Sequence, residues 1–118
     1  MAASTLRDIC FDCTDPRRVA RFWADVLGYT LHVGEDDPQA FIQPEGGGVR
    51  IWFNPVPEPK VAKNRVHIDI NMPDVAEMDR LIALGATRLQ EIRGDDGALW
   101  WTIMADPEGN EFCAFPPR

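Results

Sequence analysis

The chain has 118 residues, 45% of them hydrophobic, and a formal charge of −7 from 12 basic and 19 acidic residues. That is enough apolar material for a compact core, which excludes a disordered polymer. The acidic balance argues against a nucleic-acid partner, whose phosphates need Lys and Arg, and no apolar run reaches the roughly eighteen residues of a membrane span.

The opening residues, Met1-Ala-Ala-Ser-Thr-Leu6, carry no apolar stretch of signal type, so a cytoplasmic protein is expected. Three cysteines, Cys10, Cys13 and Cys113, are too few and too uneven for a disulfide framework. Cys10 and Cys13 spell C-x-x-C, but on a strand residues three apart point to opposite faces and cannot chelate one ion. Buried small hydrophobes are the expectation for most of the three.

In chain order, residues 6–13 alternate and predict a strand. Asp15-Pro16 is a helix start, with Asp as N-cap and Pro at the first helical position. Val19, Phe22, Trp23, Val26 and Leu27 then form one apolar stripe, and Gly28 stops the helix. Strands are predicted over residues 29–33, 39–43 and 49–53, separated by the turns Gly34–Pro38 and Glu45–Gly48. The glycine run lacks the Lys-Ser/Thr of a phosphate loop and reads as a hairpin turn. Three prolines in alternate positions make residues 55–64 an extended linker.

The order then repeats. Residues 65–72 predict a strand, and Pro73-Asp74 opens a helix with Val75, Met78, Leu81 and Ile82 on one face. Gly85 closes it. Strands follow over residues 86–92, 99–104 and 110–115, the last two joined by Asp106-Pro-Glu-Gly109, whose residue types suit a type I turn. In both halves an aspartate stands seven residues after the first polar strand residue: Asp15 after Asp8, and Asp74 after His67. Both helices end in Leu-Gly. The chain is thus expected to be one α+β domain over residues 1–118, made of two tandem βαβββ modules, residues 5–54 and 65–116. A mixed concave sheet would carry the helices on its outer face and a groove between the copies.

Strand parity sorts the side chains. Ile9, Phe11 and Cys13 should pack under the first helix, and Ile68, Ile70 and Met72 under the second. Asp8, Cys10 and Asp12, with His67, Asp69 and Asn71, then share the polar face, and Glu111, Cys113 and Phe115 form another same-face set. Carboxylates beside a histidine are the raw material of a metal site or an acid–base pair. The bland alternative is a solvated face in which the carboxylates pair with Arg50 or Arg65. Phe41, Trp52, Phe53, Trp100, Trp101 and Phe115 lie on strands that could wall a pocket, with Trp52, Trp100 and Phe115 taken beside Asp8 and Asp12 as ligand-binding candidates. Trp23 belongs to the core.

These residues resemble the vicinal oxygen chelate superfamily and, within it, the glyoxalase-like domain of the glyoxalase/bleomycin resistance group. The likeness rests on residues 15–28, Val56-Pro-Glu-Pro-Lys60, Asn64-Arg-Val-His-Ile-Asp-Ile70, Leu84-Gly-Ala86 and Asp106-Pro-Glu-Gly-Asn-Glu-Phe-Cys113. It covers nearly the whole chain and implies paired βαβββ modules around a cleft (the dihydroxybiphenyl dioxygenase-like fold), often closed by dimerisation. A homodimer is therefore expected.

In metal-using members, ligands stand seven residues before the module aspartates and seven after the aspartate of the final turn. Those positions are Asp8, where His or Gln is usual; His67, which matches; and Cys113, where Glu is expected. The cofactor is accordingly none, or a divalent ion among zinc, nickel, iron and manganese. Three functions follow. The first is a small-molecule-binding protein with a degenerate metal site. The second is a metal-dependent lyase, isomerase or dioxygenase with His67 as ligand and Glu111 or Asp69 as base. The third is a metal-free acid–base enzyme using His67 with Asp69 or Asp12. Whether the chain is an enzyme stays open.

Overall fold

A computed structural model of the chain describes residues 2–117. Two compact units divide at Pro59/Lys60, inside the proline-rich linker. Each is a βαβββ module carrying a four-stranded mixed sheet.

In the first unit β1 (Asp8–Cys13) leads into α1 (Pro16–Leu27), followed by β2 (Thr30–Val33), β3 (Ala40–Gln43) and β4 (Arg50–Pro55). The sheet order is β1-β4-β3-β2. β1 and β4 run parallel with Asp8 opposite Arg50 and Cys10 opposite Trp52, while the remaining pairs are antiparallel. The start of α1 is set by Asp15, whose carboxylate accepts from the Arg18 N–H at 3.3 Å, with Pro16 in the first turn. Its end is set by Gly28, whose φ of 70° lies in the left-handed region that glycine enters without steric cost.

α1 packs on one face of this sheet. Trp23 and Phe53 are almost fully buried, and Phe11 meets both rings at centroid distances of 6.1 and 5.3 Å. Burying such side chains contributes roughly 1.5–3 kcal/mol each. Cys13 is buried on the same side. Cys10 is exposed on the other, as strand alternation requires. The expectation that most cysteines are buried holds for Cys13 alone, because Cys10 lies on the open face and Cys113 is half-buried.

The second unit contains β5 (Asp69–Asn71), α2 (Glu77–Leu84), β6 (Thr87–Arg93), β7 (Leu99–Ala105) and β8 (Glu111–Phe115), in the sheet order β5-β8-β7-β6. β5 and β8 are parallel, with Asp69 opposite Cys113 and Asn71 opposite Phe115. The core face is built by Ile70, Met72, Thr102, Met104, Phe112 and Ala114.

Two elements differ from the sequence expectation. β5 is three residues long instead of spanning residues 65–72, although the Cys113 N–H still donates to the Ile68 carbonyl and the Met72 N–H to that of Phe115. α2 begins at Glu77, not at Pro73-Asp74. The Asp74 carboxylate accepts from the Ala76 N–H at 3.0 Å, so it closes a local turn instead of capping a helix. Val75 is consequently outside the helix and 88% exposed, and only Leu81 of the expected stripe is fully buried.

Candidate functional site

The face of the first sheet opposite α1 carries a row of rings. His32 on β2 stacks on Phe41 of β3 at 4.5 Å with 7° between planes, and Phe41 meets Trp52 of β4 at 4.5 Å. Cross-strand register produces this row, because His32 is opposite Phe41 and Phe41 opposite Trp52. The Arg50 guanidinium lies over both Phe41 and Trp52, 5.5 and 5.4 Å from the ring centroids, within the range of a cation–π contact. The row opens onto a cleft of about 480 Å³ whose wall also includes Gln39 and Asp37.

Arg50 makes a second commitment. Its Nε donates to Asp8 Oδ1 at 2.9 Å and its Nη2 to Oδ2 at 3.3 Å. Both oxygens of Asp8 are therefore engaged by one guanidinium, the planar two-point geometry that favours Arg over Lys. Arg7 adds a longer contact to Oδ2 at 3.4 Å. Of the two arginines named as partners for the carboxylates, Arg50 takes this role with Asp8. Asp12 is exposed, opposite Asn54, whose side-chain oxygen accepts from Gln39.

The second unit gathers a different set. His67 Nε2 stands 3.3 Å from Asp69 Oδ1, with both side chains about half exposed. Cys113 sits directly across from Asp69, and one ligand atom from each of His67, Asp69 and Cys113 lies within 4.8 Å of the other two. Burial pushes the Cys113 thiol up from its ordinary pKa. The neighbouring Asp69 carboxylate and, less strongly, Glu111 act in the same direction, while Lys63 opposes them. Glu111 shares the face with Cys113 and lies 3.7 Å from the Lys63 ammonium.

His67 lies outside any regular strand, yet the chain around it is fastened. Asn64 donates to the Val66 and Glu111 carbonyls at 2.8 and 3.0 Å, and its oxygen accepts from the Glu111 N–H at 2.8 Å. One side-chain amide thus stands in for a peptide and continues the β5–β8 pairing toward His67. Asn64 heads the run Asn64–Ile70, but an amide immediately before a predicted strand does not by itself mark this bridging role.

Further along the same face, Trp101 meets Phe115 at 5.8 Å, and these two with Leu99, Trp100 and Pro116 line a second cleft of about 360 Å³. Trp100, on the alternate side of β7, is 55% exposed and covers the backbone at Gly94, where even a Cβ would come within 2.7 Å of its Nε1. The structure therefore sets Trp101 beside Phe115, and Trp52 in a separate row with Phe41 and His32. Phe53 belongs to the core.

Residues 8–115 match the family model described as "Glyoxalase-like domain". No curated protein matches the chain. Among solved structures it resembles the fosfomycin resistance protein FosX of Listeria monocytogenes, in its E126Q form complexed with Mn(II) and 1S,2S-dihydroxypropylphosphonic acid. Identity there is 17%, with 99% of this chain and 93% of that one covered and a TM-score of 0.74. A glyoxalase/bleomycin resistance protein/dioxygenase family enzyme from Burkholderia phytofirmans PsJN is 17% identical over 98% of this chain and 100% of its own, with a TM-score of 0.69. A glyoxalase/bleomycin resistance protein/dioxygenase from Nocardioides is 20% identical, with 98% and 86% covered and a TM-score of 0.63. At these identities the structures speak for the fold, and the family match for descent. The chain belongs to the glyoxalase-like domain family.

Proposed function

We propose that this protein binds a small, flat organic molecule against the aromatic row of its first sheet, and that it does so without the metal that the inherited ligand set would hold. The observation that carries this reading is the Arg50 clasp on Asp8. A carboxylate held at both oxygens by a guanidinium has little left to offer an ion, and the guanidinium beside it repels one. Asp8, where the resemblance expects a ligand, therefore does not fit a divalent cation. The same guanidinium lies over Phe41 and Trp52, so it helps fix a ring surface with a polar rim. Apolar walls with a few placed polar groups suit an organic ligand.

The test is a thermal-shift screen of aromatic small molecules on chelator-treated protein. Binders should raise the melting temperature of the parent and lose most of that effect in Trp52→Ala. Stabilisation that appears only after metal is added back would sink the reading. A homodimer acting in the cytoplasm belongs to the same proposal. Sedimentation checks the self-association directly.

A second reading rests on the 3.3 Å approach of His67 and Asp69. A carboxylate at that distance can hold an imidazole in one tautomer for general acid–base work. On this reading, His67→Asn abolishes turnover of a substrate while leaving ligand-induced stabilisation at the first sheet intact.

A further inference from the structure

We propose that the second module holds a metal site of its own, formed by His67, Asp69 and Cys113, and that it selects a thiophilic ion such as zinc over hard ions such as manganese or magnesium. His67 and Cys113 occupy positions that the resemblance assigns to ligands, but Asp69 does not. Asp69 supplies the third ligand atom within the second unit, whereas Asp8 is engaged by Arg50. All three residues lie in one unit, so the site needs nothing from the first sheet. The inference goes beyond the ligand-binding reading above and does not depend on it.

The geometry suits zinc. Zn–N and Zn–O bonds of about 2.0–2.2 Å at tetrahedral angles put two ligand atoms roughly 3.3 Å apart. His67 Nε2 and Asp69 Oδ1 are separated by 3.3 Å. The Cys113 sulfur lies within 4.8 Å of both, so an inward movement of no more than about 1 Å meets the longer Zn–S bond of about 2.3 Å. That movement is a side-chain rotation, because Asp69 and Cys113 already face each other across parallel strands. The backbone beneath is fixed by the Cys113-to-Ile68 hydrogen bond and by the Asn64 bridge.

The donor chemistry sets the selectivity. Magnesium and manganese favour carboxylate, carbonyl and water, whereas a thiolate beside an imidazole favours zinc. Three protein ligands leave the fourth tetrahedral position open to water or an exogenous group. Glu111 lies two residues before Cys113 on the same face of β8.

The experiment uses the full chain carrying Cys10→Ser, which removes the exposed thiol, stripped with chelator and titrated with Co(II), Zn(II) and Mn(II). Cobalt should bind as a single ion per chain and show a thiolate-to-cobalt charge-transfer absorption, which zinc should bleach by displacement. Manganese should bind at least about tenfold more weakly than zinc. Cys113→Ser should abolish the charge-transfer band, Asp69→Asn should weaken zinc by about tenfold or more, and Asp8→Asn should leave zinc affinity within about twofold. Tetrahedral cobalt without a thiolate band, or manganese binding as tightly as zinc, overturns the proposal. An Asp8→Asn loss as large as that of Asp69→Asn also overturns it, since the inherited set would then hold the ion. The band in the parent protein decides the matter even where a ligand variant fails to fold.

Discussion

Thr102 sits on β7 with 1% of its surface exposed, and its hydroxyl has no hydrogen-bond partner among the described residues. A buried hydroxyl left unpaired costs about 1–3 kcal/mol. Valine has nearly the same shape and no such debt. Thr102→Val is expected to leave stability unchanged or raise it by about 1 kcal/mol, read as a higher midpoint in denaturant. Much at this scale was legible beforehand. Parity placed Phe11 and Cys13 on the core face and grouped Glu111, Cys113 and Phe115, because alternation is a local property of a strand. The Asp8–Arg50 clasp was legible only as one option among several. It depends on β1 lying beside β4 in parallel register, a pairing across 42 residues that no local pattern encodes.

The two helices show where reasoning by element succeeds and where it stops. Both are preceded by an aspartate next to a proline. In α1 the order Asp15-Pro16 puts the carboxylate before the rigid residue, so it reaches the Arg18 N–H and caps the helix. In the second module the order is reversed, Pro73-Asp74, and the carboxylate closes on Ala76 instead. α2 then begins at Glu77, and Ala76 at its N-cap position offers no side-chain cap. A reading by composition treats the two pairs alike; the sequence order of the same two residues decides the outcome. Asp15→Ala is accordingly expected to destabilise the protein by about 1 kcal/mol, seen as a lower melting temperature, while Asp74→Ala costs less because it removes no helix cap.

At the scale of the molecule, the duplicated βαβββ plan was readable from spacing: seven residues from Asp8 to Asp15 and from His67 to Asp74, with Leu-Gly ending each helix. The two compact units divide at Pro59/Lys60. Lys60 and Lys63 are exposed there, outside any helix or strand. Limited trypsin digestion should cut first after one of these two lysines, yielding two fragments of nearly equal mass by mass spectrometry. First cleavage within α1 or β4 would contradict this. The two sheets also carry different chemistry on one architecture. The open face of the first is a row of rings with a clasped acid, and that of the second groups an imidazole, a carboxylate and a thiol.

The clasp between Asp8 and Arg50 also constrains how such a chain can change. Replacing Asp8 with histidine alone would leave Arg50 unneutralised beside the new imidazole, and its charge would repel an incoming cation. Replacing Arg50 alone would leave a partly covered carboxylate without its counter-charge. Either step by itself loses something, and only the pair together reopens that corner of the sheet. A two-residue lock of this kind couples the two positions, so that the effect of changing one depends on what stands at the other.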